Sequence, residues 1–188
     1  MSQNSKLWKT VFLRPEYNGL HVKNPDQFLN LIGHRFSSSL QYIELPMELI
    51  TADVLHELAN KCPNLKYLTL DFSTAMQLHD FYDLNVFPCN LKMLCICLSE
   101  VIFLEGFMRR IYAYLSSLEI LQIIGRKEKF YLEKIDLIVL GTIEKSDEAE
   151  EEVYETINIS KIKAQTPNLR VSLFSFESLS MNLLLVGC

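Results

Sequence analysis

The chain has 188 residues, 49% of them hydrophobic and 22% charged, with a net charge of -5. That balance suits one domain with a continuous core and excludes the strongly basic footprint of a nucleic-acid binder. No apolar run approaches the roughly 18 residues that a membrane span needs. The N-terminal MSQNSKLWKTVFL also lacks the charged and apolar regions of a secretory leader. Five cysteines form no disulfide framework, so a reduced chain in the cytoplasm or nucleus is expected. Asn158-Ile159-Ser160 is then an accidental sequon.

From the N-terminus, WKTVFL places apolar residues at Trp8, Val11 and Leu13, three and then two apart. NPDQFLNLIGHRF predicts a helix, with Asn24 as cap, Pro25 in the first turn and Phe28, Leu29 and Ile32 buried. LQYIEL repeats the three-then-two step at Leu40, Ile43 and Leu45. TADVLHELANKC predicts a helix capped by Thr51, with Val54, Leu55, Leu58, Ala59 and Cys62 on one face. LKYLTL carries the step again at Leu65, Leu68 and Leu70, and LKMLCI at Leu91, Leu94 and Ile96. Between them, Phe72, Phe81, Tyr82 and Phe87 either wall a groove or plug the core. LEGFMRRIYAYL predicts a helix burying Leu104, Phe107, Met108, Ile111 and Leu115. LEILQI follows, with Leu118, Leu121 and Ile123.

The four clear copies start 25, 26 and 27 residues apart. A period of roughly 20–29 residues marks a leucine-rich repeat, an α/β solenoid with parallel strands on its concave face and helices on its convex face. One such domain is expected over 1–188, with about six units, clear over 40–123 and irregular over 125–165. Leu118 and Leu169 are 51 residues apart, about two periods, so a unit is expected between them. YLEKIDLIVL offers its strand through Leu132, Ile135 and Leu137. EKSDEAEEE, from Glu144 to Glu152, reads as a solvated acidic loop, and VYETINISKIKA is compatible with helix or strand. TPNLRVSLFSF aligns with CPNLKYLTLDF, which puts Ser172 in the slot of Leu68. MNLLLVGC ends the chain without a polar closing unit.

CPNLKYLTL, preceded by VLHELANK, resembles the repeat of F-box/leucine-rich-repeat proteins, the substrate receptors of cullin-RING (SCF-type) ubiquitin ligases. LPMELITADVLHEL resembles the opening of an F-box, yet the next strand begins at Leu65 and leaves no room for three consecutive helices. The resemblance implies a non-catalytic module that holds a protein target. A Skp-type adaptor and cullin would join it only where a longer form carries an F-box. Another leucine-rich-repeat scaffold, cytoskeletal or related to small GTPases, is the alternative.

No phosphate-binding loop, dinucleotide fingerprint, zincin helix or nucleophile elbow occurs. His21, His34, His56 and His79 are scattered. Cys95 and Cys97 share one strand face, but adjacent strands offer Thr69, Asp71, Gln122 and Ile124, a poor zinc set. No cofactor, metal, nucleic acid or membrane is expected, and a redox enzyme through this pair is the remaining rival. Slot alignment stacks outward side chains into columns: Tyr42, Tyr67, Met93, Ile120; then Glu44, Thr69, Cys95, Gln122; then Pro46, Asp71, Cys97, Ile124. With strands ~4.8 Å apart each column is a ladder. The expected partner-binding strip is Tyr42, Glu44, Tyr67, Thr69, Asp71, Met93, Cys95, Ile120 and Gln122.

Overall fold

A computed structural model describes residues 8–13, 22, 24–74, 81–98, 105–125, 130–133, 136–144, 150–157 and 169–175. In chain order these form β1 (Thr10–Val11), α1 (Pro25–Leu31), β2 (Tyr42–Pro46), α2 (Ala52–Lys61), β3 (Tyr67–Phe72), β4 (Met93–Leu98) and α3 (Glu105–Ile111). Then come β5 (Ile120–Gly125), β6 (Phe130–Glu133), β7 (Asp136–Glu144), β8 (Glu150–Ile157) and β9 (Arg170–Ser175). The fold is α/β. Its main sheet runs β1-β2-β3-β4-β5-β9, every neighbouring pair parallel. Among the described residues no helix is long and apolar enough to cross a membrane.

The three-then-two spacing places its second and third apolar residues on one face of each strand. Ile43, Leu45, Leu68, Leu70, Leu94, Ile96, Leu121 and Ile123 are all fully buried. Val11 and Leu13 do the same job beside β2, with Val11 in register with Ile43. Helices close over this face. Asn24 caps α1 by accepting from the Gln27 amide at 2.9 Å, and Pro25 occupies the first turn. A π-helical turn, Ile32–Phe36, extends α1 and buries Ile32 and Phe36 beside Phe28. Thr51 caps α2 by accepting from the Val54 amide, and Val54, Leu55, Leu58 and Cys62 face inward. Ala59, expected on that face, is half-buried. In α3 and the 3-10 segment that follows it, Phe107, Met108, Ile111 and Leu115 are buried. Leu104 lies outside the described residues.

Successive strands are joined by one repeated device. A single carbonyl accepts from two consecutive amides of the next segment. Lys9 receives Gln41 and Tyr42, Gln41 receives Lys66 and Tyr67, Lys66 receives Lys92 and Met93, and Lys92 receives Glu119 and Ile120. Behind it, the Asn64 side chain donates to the Ser38 carbonyl at 2.6 Å, and the Asn90 side chain to the Pro63 carbonyl at 3.1 Å. These asparagines stand just before Leu65 and Leu91, so each links one segment to the segment before it.

Four sequence expectations need correction. The solenoid reading expects a helix on the convex face between successive strands, and the described part of the connection from β3 to β4 is not helical. Phe81 and Phe87 fill the space there, packing edge-on against Phe107 with centroids 5.0 and 6.2 Å away, and Phe72 joins them at 5.9 Å. They plug the core. Tyr82 is 72% exposed and wet, with Arg110 over its ring. Second, among the described residues no strand enters the main sheet between β5 and β9, which pair directly. YLEKIDLIVL turns back on itself instead, so that β6 and β7 pair antiparallel, Leu132 opposite Leu137. Ile135 lies outside the described residues.

Third, the acidic block and its sequel are extended in part. β8 takes Glu150, Glu151 and Glu152 opposite Glu144, Ile143 and Thr142 of β7 and completes a three-stranded sheet. Residues 145–149, 158–168 and the C-terminal 181–188 lie outside the described residues. Fourth, β9 is one residue out from the alignment on Pro-Asn-Leu. Val171 pairs with Leu121 and Leu173 with Ile123, while Ser172 stands opposite Gln122. The alternation Val-x-Leu sets the register, because a one-residue slip reverses the face of every side chain.

Candidate functional site

The outward face of the sheet carries the expected columns in register. Tyr42 stands opposite Tyr67, Tyr67 opposite Met93 and Met93 opposite Ile120. Glu44, Thr69, Cys95 and Gln122 form the second row, and Pro46, Asp71, Cys97 and Ile124 the third. Each residue is there because its strand neighbours are leucines and isoleucines that must point the other way.

The columns differ in access. Tyr67 is 40% exposed, and Tyr42, Met93, Ile120, Gln122 and Asp71 are half-buried. Glu44, Thr69, Cys95 and Cys97 are buried. The middle of the face is therefore less open than an uncovered sheet. Tyr42 explains part of this. Its hydroxyl lies 3.5 Å from the Thr69 hydroxyl, one strand across and two residues further along. The ring is thereby laid diagonally over the sheet, between Glu44 and Tyr67. Phe12, which follows β1, packs against the Tyr42 ring at 5.3 Å and is itself 50% exposed. Asp71 is held locally. It accepts from the Ser73 amide at 3.0 Å and from the Ser73 hydroxyl at 2.5 Å.

Beside the aromatic rings, on β3 and β4, lies a polar seam. Cys95 accepts hydrogen bonds from Cys97 and Thr69, which draw its thiol below the usual value against its burial and the nearby Glu44 and Asp71. Cys97 donates to Cys95 and is pushed up by that bond, by burial and by the same negative neighbours. Both are free thiols, as are Cys62 and Cys89. Among the described residues, no group of three or more His, Cys, Asp or Glu is arranged to hold a metal ion. His56 has a structural task, since its Nε2 accepts from the Asn85 amide at 3.2 Å and ties α2 to the segment before β4.

Sequence reasoning missed two features of this face. Phe12 was within reach, because Val11 and Leu13 as inward residues leave Phe12 outward. The asparagine links were also visible as Asn64 and Asn90, each preceding a strand leucine. At the start of the strands runs a charged rim, where Lys92 pairs with Glu119 at 2.6 Å. No protein-family model, no curated protein and no solved structure matches the chain.

Proposed function

We propose that the chain is a leucine-rich-repeat solenoid that binds a protein target on its concave face without catalysing a reaction. In this reading it recognises substrates for a cullin-RING ubiquitin ligase of the SCF type. One observation carries the repeat reading. The bond of a single carbonyl to two consecutive amides recurs four times, at the 25- to 27-residue spacing of the leucines that start each unit. Units that stack in this way bury one another's apolar faces and leave an extended ladder of side chains on the other side. The ladder Tyr42, Tyr67, Met93 and Ile120 is rich in residue types that anchor protein interfaces. The segment Leu45–Leu58 supports the absence of an F-box there. It ends a strand, makes a 3-10 turn at Met47–Leu49 and enters α2, so Leu45 serves the sheet core.

The test is affinity purification from cells of the wild-type chain and of Tyr42→Ala/Tyr67→Ala/Met93→Ala, after circular dichroism has shown that both fold alike. Selective loss of a bound protein is the expected result. The identity of that protein separates a ligase receptor from a cytoskeletal or GTPase-related scaffold. In a form that carries an F-box, a Skp-type adaptor and a cullin should co-purify with both chains. An unchanged set of bound proteins would remove the concave ladder as the site.

A further inference from the structure

Sulfur is concentrated on one strand. β4 reads Met-Leu-Cys-Ile-Cys-Leu, and its inward positions, Leu94, Ile96 and Leu98, are buried in the core. Its three outward positions are therefore Met93, Cys95 and Cys97. β4 is paired on both sides, with β3 and with β5, so these positions are fixed along a rigid element.

The two cysteines are free thiols that bond to each other. Cys97 donates to the Cys95 sulfur, which also accepts from the Thr69 hydroxyl. Alternate residues of a strand have Cα atoms about 6.6 Å apart, so the two side chains lean together to make this bond. A cation that takes the place of the proton between them meets both sulfurs at once. Met93 lies one outward step before Cys95, and its unbranched, flexible thioether reaches toward the same point. Cys95 and Cys97 keep 5% and 7% of their surfaces, on the face where Tyr67 is 40% exposed, which gives an ion a way in.

We propose that Met93, Cys95 and Cys97 form a binding site for a soft monovalent metal ion, copper(I), held by two cysteine sulfurs and one thioether. Thiolate and thioether donors select copper(I), which is satisfied by a few sulfur ligands. Zinc asks for four ligands, and the strands beside this site offer Thr69, Asp71, Gln122 and Ile124 to complete them. Binding displaces the protons of Cys95 and Cys97 to solvent. The ion enters and stays as copper(I), so no electron moves. Thr69, through its bond to Cys95, is a positioning residue. The site does not depend on what the ladder of Tyr42, Tyr67, Met93 and Ile120 binds.

The test is an anaerobic titration of the reduced full chain with copper(I), in competition with the chromophoric chelator bathocuproine disulfonate. The chain should hold one ion against the chelator. Cys89→Ser/Cys188→Ser, which keeps Cys62, Cys95 and Cys97, should hold it equally well. Cys95→Ser and Cys97→Ser should each lose it, with circular dichroism unchanged. Met93→Leu should weaken retention less than either serine, and Thr69→Val should weaken it by about 10- to 100-fold. X-ray absorption of the loaded wild type, which needs no variant to fold, should show only sulfur neighbours around the ion. The proposal is overturned if the chelator strips the wild type as readily as the serine variants, or if Cys89→Ser/Cys188→Ser loses the ion. Nitrogen or oxygen neighbours, or a Met93→Leu chain that binds as tightly as the wild type, would overturn it too. Zinc held by the same two cysteines in preference to copper(I) would overturn the choice of metal.

Discussion

Cys62 stands at the end of α2, 3% exposed. Burial, and then the Glu57 carboxylate, push its thiol from 9.0 up to about 12. The sign follows from proton counts. Above pH 9 the unfolded chain releases this proton while the folded chain keeps it to about pH 12, so stability falls with rising pH between those values. The complete loss would be about 4 kcal/mol, at roughly 1.4 kcal/mol per unit. Urea unfolding of the wild type should weaken across that window more steeply than that of Cys62→Ala. Parallel slopes would show that the thiol is not the source. A second pair of residues separates the two faces of β3. Leu68 is fully buried among core leucines, and its truncation to alanine should cost about 2–5 kcal/mol. Thr69, its neighbour on the other face, shares a long hydroxyl contact with Tyr42 and donates to Cys95, and Thr69→Ala should cost about 0.5–1.5 kcal/mol. Equal losses in urea unfolding would contradict the assignment of faces.

At the scale of elements, caps and inter-unit links make separable contributions. Thr51→Ala removes the acceptor for the Val54 amide and should destabilise the chain by about 1 kcal/mol, measured as a shift in the urea midpoint. Asn64→Ala removes the link to the Ser38 carbonyl and should cost about 0.5–1.5 kcal/mol. Asn64→Asp, which cannot donate, should cost as much, and full retention of stability in the aspartate variant would refute the link. The capped helices α1 and α2 were legible because their caps and apolar faces are written in local sequence. The registers of β2 to β5 were legible because leucine parity admits one alignment. β9 was misread where a local likeness, Pro-Asn-Leu, competed with parity and parity prevailed. The β6–β8 sheet was misread because a period that holds for four copies says nothing about a segment that leaves it. Of the outward face, the positions could be read but not the access to them. The diagonal lie of Tyr42 depends on a hydroxyl contact between strands, which no spacing reveals.

For the whole molecule, the main sheet is an unbranched series in which each interior strand depends on two neighbours. Hydrogen exchange should therefore be slowest for the amides of β3 and β4, paired on both sides, and faster at the two-residue edge strand β1. Uniform protection across the sheet would speak against this order. The bond from the first strand amide of each segment to a carbonyl of the segment before has a further consequence. It fixes where a strand begins without reference to what came before it. The 44 residues numbered 126–169 separate β5 from β9, yet the pair keeps the alignment of its predecessors, with the Arg170 amide on the Glu119 carbonyl. Lengthening a connection adds only about 0.6 kcal/mol of closure entropy for each doubling. Sequence can accordingly be inserted into or trimmed from the returns while the ladder is left in place, so the architecture is open to elaboration at its joints and conservative along its strands.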